Sequence, residues 1–119
     1  MDAANRHPVF DPSVLDAMFG KEPALVASVL QTYVASNHAN LADLARALAA
    51  QDLSAMGAMA HKIAGASRMS GALALGHSAR KLELAAKQGN TAALAQGVSD
   101  VQAQWALTQT AIARLMGQP

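Results

Sequence analysis

His61 lies in the stretch "AMAHKIAGASRMSGA", residues 58–72, among neighbours too small to hide it. The spacing is helical, with Leu53, Met56, Ala60, Ile63 and Ser67 on one core-facing stripe. At about 100° per residue, His61 projects away from that stripe. Gly57, Ala58, Gly65 and Arg68 share its side, and Lys62 and Ala64 flank it. Two glycines inside one helix each cost about 0.5–1 kcal/mol relative to alanine. A face of Gly57, Ala58, Ala64, Gly65 and Arg68 lets a second body approach the ring closely. An imidazole near neutral pH is a good nucleophile and can hold a phosphoryl group on nitrogen. Phosphoryl transfer needs chiefly positioning and charge neutralisation, and Lys62 and Arg68 are the candidates to supply the charge. An acceptor on the other ring nitrogen would fix tautomer and orientation. Glu83, one residue past inward-facing Leu82 on the next helix, is the candidate holder. The opposing reading is an inert surface histidine on an alanine-rich helix, and spacing alone does not separate the two.

The elements that must position His61 are helices. "FDPSVLDAMFG" predicts a short one, with Asp11 as N-cap, Pro12 at the first helical position and Gly20 at the end. Pro23 opens a long helix with Val26, Leu30, Tyr33, Leu41, Leu44 and Leu48 on one line, and Asn37 among them. Asp52 caps the histidine helix, and "SGA" at 70–72 is a turn. A fourth helix turns Leu75, Ala79, Leu82 and Ala86 inward, with Gly89 just past its end. Asn90 or Thr91 starts a fifth, whose stripe runs Leu94, Val98, Val101, Trp105, Thr108, Ile112 and Leu115. Short connections favour antiparallel neighbours. The expected fold is all-α: an antiparallel up-down four-helix bundle with a short additional N-terminal helix. Residues 1–9 read as a flexible tail and 10–117 as the single domain.

Composition agrees with that reading. The chain has 119 residues, no cysteine and few aromatics, and much of its apolar fraction is alanine. The missing thiols exclude a disulfide framework and cysteine chemistry. The N-terminus carries no apolar signal core, and no apolar run is long enough to span a bilayer. Net charge is +1, but unevenly spread. Lys62, Arg68, Arg80, Lys81 and Lys87 fall between 61 and 87 against one acid, Glu83, while the rest of the chain is acidic. Without interleaved aromatics or a strongly basic balance, nucleic acid is a poor fit. An acidic protein surface or a phosphate suits the patch better. His7 falls in the tail, His38 has no metal-spaced partner, and His77 reads as a surface or boundary histidine, so no metal site is expected. Met56, Met59 and Met69 read as core or boundary filler.

"AHKIAGASRMSGALALGHSARKLE", residues 60–83, resembles the signature of histidine-containing phosphotransfer (HPt) domains. Ala60, His61, Gly65, Ser67, Gly71, Ala72, Leu82 and Glu83 match the family pattern, and the order of helices is similar over most of the chain. The resemblance implies that His61 is the phosphorylated residue, on Nε2, with Gly65 leaving room for the partner and Glu83 bonded to the other nitrogen. It implies a phosphoryl carrier without kinase activity. The partners would be receiver domains of response regulators and of a hybrid sensor histidine kinase, which bring the phosphorylated aspartate and Mg²⁺; this chain would hold no cofactor. One position departs from the pattern: the lysine usual three residues after the histidine is Ala64 here. Arg68, with Lys62, is the expected replacement for its charge. A monomer in the cytoplasm, without direct membrane contact, is expected, whether as a free protein or as a domain of a sensor kinase. The alternative is a non-phosphorylated helical adaptor that keeps the docking face.

Overall fold

A computed structural model describes residues 7–117. Five helices follow in order: α1 (Pro12–Phe19), α2 (Pro23–Ala49), α3 (Leu53–Ser70), α4 (Leu73–Lys87) and α5 (Leu94–Leu115). Their limits follow from local chemistry. The Asp11 carboxylate accepts the Ser13 N–H at the start of α1, and the Asp52 carboxylate accepts the Ala55 N–H at the start of α3. Prolines open α1 and α2. Gly71 ends α3 in the left-handed region at φ +90°. The fifth helix is entered differently from the expectation. Thr91–Ala93 form a 3₁₀ turn, and the α-helix proper begins at Leu94.

Contacts run α2–α3, α3–α4, α4–α5 and α5–α2, which closes a four-helix up-down bundle. The short α1 lies against α2 and α3 and contributes Leu15 to the core. The core takes Leu30 and Leu44 from α2, Met56 and Ile63 from α3, Leu75 and Leu82 from α4, and Val101, Trp105 and Ile112 from α5. The α5 stripe holds up to Ile112, but Leu115 is exposed, and Met116, four residues past Ile112, takes the next place against the core.

Polar links tie the layers together. Tyr33 Oη and the buried Ser67 Oγ are 2.7 Å apart, joining α2 to α3, and the Tyr33 ring meets Trp105 edge-to-face. Burial pushes the Tyr33 phenol up to about 12, against the smaller opposing effect of the Ser67 bond. His38 joins α2 to α5: its Nδ1 accepts the Trp105 indole N–H, and its Nε2 lies 3.0 Å from the Gln109 amide. His38 is therefore a bundle residue.

The N-terminal segment is more ordered than a tail where it is described. Residues 1–6 of the expected tail lie outside the described residues. Residues 7–9 are seated: the Pro8 carbonyl accepts the Ala74 N–H, and the His7 ring stacks on His77 with centroids 4.2 Å apart. Next to them the Asp11 N–H donates to the Gly71 carbonyl. A Cβ at residue 71 would come within 2.4 Å of the Asp11 carbonyl oxygen, so glycine is needed there for space as well as for its φ.

Replacing Tyr33 by Phe strips the buried Ser67 hydroxyl of its partner. A loss of about 1–2 kcal/mol in urea unfolding is expected, and a smaller loss for the Tyr33→Phe/Ser67→Ala pair than for the two singles summed.

Candidate functional site

The site forms along the seam between α3 and α4. His61 is at the middle of α3 with 74% of its side chain exposed. Its neighbours on the helix fall into two groups. Gly57 and Ala64 lie about 40° and 60° to one side of it, and Gly65 and Ala58 lie about 40° and 60° to the other. The first side faces α4. There Gly57 packs on Ala86, and Ala64 is 3% exposed with its carbonyl close over Gly76. The second side is open, with Ala58, Lys62, Gly65 and Met69 all exposed, while Arg68, also exposed, lies about 20° to the α4 side of His61.

Two of the expected docking residues are thereby corrected. Gly57 and Ala64 belong to the α3–α4 packing and not to the open face. Helical spacing places residues around His61 but does not say on which side the next helix lies. Met69 is corrected too: it is on the open face, 54% exposed, whereas Met56 is core and Met59 is half-buried. Gly65 keeps its expected place. Among the described residues a Cβ there would meet nothing within 4 Å, so none of their contacts requires glycine.

Glu83 reaches the seam from α4 and is 1% exposed. Its Oε2 lies 2.9 Å from His61 Nδ1, the contact expected from its place beside Leu82. Two further donors converge on the carboxylate. Lys87 Nζ donates to Oε2 at 2.9 Å, and an Arg80 guanidinium N–H donates to Oε1 at 2.9 Å. Burial pushes the carboxyl up, but the bonds from Lys87, Arg80 and His61 outweigh it and hold Glu83 at about 2. Reading the sequence missed Arg80 and Lys87 as parts of the site. The available signal was their position at i−3 and i+4 from Glu83.

A carboxylate only accepts, so His61 Nδ1 must be the donor. In the neutral ring the lone pair is then on Nε2. The other sequence-selected cations are elsewhere. Lys62 is exposed on the open face. The Arg68 stem lies against Gly76, and its charge acts on His77. Burial first, then the charges of His7, Lys81 and Arg68, lower the His77 pKa. Among the described residues no group of three or more His, Asp or Glu could hold a metal ion.

The Glu83 network makes stability depend on acid. The folded carboxyl sits near 2 against a usual 4.5, so its stabilisation is full above about 4.5 and is lost as pH falls towards 2. In urea unfolding, the wild type should exceed Glu83→Gln at pH 6, and the gap should close between pH 4.5 and 2. A gap of constant size would contradict the network.

Comparison with known proteins adds the wider context. A family model described as Hpt domain matches residues 28–116. Among solved structures, the chain is similar to histidine-containing phosphotransfer protein B (HptB) from Pseudomonas aeruginosa PAO1. The TM-score is 0.84 at 24% identity, over 90% of this chain and 93% of that one, a likeness of fold. No curated protein matches the chain. With a family model spanning most of its length and the bundle in place, the chain belongs to the Hpt domain family, the histidine phosphotransfer domains of two-component phosphorelays.

Proposed function

We propose that Nε2 of His61 is the phosphoryl acceptor of this domain. The observation that carries the reading is the 2.9 Å contact between Nδ1 and buried Glu83 on a ring that is otherwise exposed. It leaves Nε2 as the nucleophile and Nδ1 as the proton holder. Transfer then balances simply. Nε2 attacks phosphorus of a receiver's aspartyl phosphate, the P–O bond to the aspartate breaks, and its electron pair returns to the carboxylate. The ring gains positive charge, which Glu83 offsets through Nδ1–H. The reverse steps deliver the group to another aspartate.

The domain is a carrier and has no kinase activity of its own in this reading. The aspartate and the Mg²⁺ belong to the receiver. Ala58, Lys62, Gly65, Arg68 and Met69 around His61 form the docking face, and the surrounding basic patch steers an acidic partner surface. Lys62 and Arg68 act there as partner-facing charges. The partners are receivers of response regulators and of a hybrid sensor histidine kinase. The domain works as a monomer in the cytoplasm; no described helix is long and apolar enough to cross a membrane.

Incubation with a phosphorylated receiver should give acid-labile, alkali-stable label on the wild type and none on His61→Gln. Equal label on both would refute the assignment, and label on neither across several receivers would leave a docking adaptor. Gly65→Ala should raise stability by about 0.5–1 kcal/mol while slowing transfer from the receiver. Unchanged transfer would remove Gly65 from the docking face.

A further inference from the structure

Glu83 has more partners than holding a histidine requires. One acceptor oxygen orients His61, yet Arg80 takes Oε1 and Lys87 shares Oε2 with the imidazole. The two cations are on α4 itself, with side chains 44% and 62% exposed, so neither fills the core. The carboxylate between them is buried. A buried negative charge left with one neutral donor is costly, and the usual relief is a proton.

That proton has two places to go, and both change His61 in the same way. On Glu83, the neutral acid can donate to Nδ1, and the ring hydrogen moves to Nε2. On the ring, the imidazole becomes an imidazolium with hydrogen on both nitrogens. Either way Nε2 loses its lone pair. We propose that Arg80 and Lys87 are positioning residues that hold Glu83 as a bare carboxylate, so that His61 keeps hydrogen on Nδ1 and its lone pair on Nε2. They supply from α4 the positive charge that Ala64, buried in the seam, does not supply from α3. The proposal rests on His61 being the acceptor.

The test needs no partner. Phosphoramidate donates its phosphoryl group directly: its P–N bond breaks, ammonia leaves, and the Nε2–P bond forms. Rates on the whole chain would be compared for wild type and Arg80→Met/Lys87→Met, with ¹⁵N spectra of the His61 ring recorded alongside. In the double variant at pH 7, Nε2 should carry hydrogen and uptake should fall about tenfold or more. That is within the roughly 10⁴-fold that a wrong histidine tautomer costs a serine-protease triad. Raising the pH should restore uptake relative to wild type as the extra proton leaves, which a merely structural loss would not show. Arg80→Lys/Lys87→Arg should behave as wild type.

A double variant with bare Nε2 and wild-type uptake would overturn the proposal. If the double variant does not fold, each single variant should show part of the shift, and wild-type spectra in both would overturn it equally. Absence of label on wild type would count against the carrier reading. The ring spectra would still decide the role of Arg80 and Lys87.

Discussion

A carboxylate taken out of water at a helix seam must be met by donors, and Glu83 is the group on which this arrangement turns. Its requirement places a histidine on α3, an arginine one turn before it and a lysine one turn after it. The backbone has to bring α3 and α4 close enough for a glutamate to touch an exposed ring. Small residues in the seam, Gly57, Ala64 and Gly76, allow that approach. Core packing and site chemistry therefore share the same helix pair, and the rest of the bundle holds that pair still.

Charge placement follows from the same pair. The family pattern puts a cation on the histidine's own helix, three residues on. Here that position is turned into the seam, where Ala64 is buried. The cations nearest the carboxylate come instead from α4. Arg68, exposed on α3, leans over Gly76 towards His77. The positive patch seen along 61–87 thus divides into charges that serve the carboxylate and charges that face outward.

Helix limits were legible in the sequence because their causes are local. Asp11, Pro12, Pro23, Asp52 and Gly71 act through their own backbone neighbourhood, and each stands where it was expected. The pairing of His61 with Glu83 was legible from helical phase, since Leu82 fixes the inward side of α4. The side of His61 that meets α4 was not, because a periodicity is symmetric about the residue it is counted from. That ambiguity misplaced Gly57 and Ala64. The seating of residues 7–9 depends on a backbone bond from Pro8 to Ala74, more than sixty residues away, and no local pattern announces it.

The seam of Gly57, Ala64 and Gly76 also acts as a ruler. Where two helices touch through side chains this short, their separation is set nearly by backbone against backbone, with few soft atoms to absorb a change. A hydrogen bond of 2.9 Å across that gap then inherits the tolerance of the helices themselves. A side chain larger than the methyl that fits opposite Ala86 at Gly57 would part the helices there and lengthen the reach for Glu83. The interior spacing of the bundle is in this sense the calibration of its surface nitrogen.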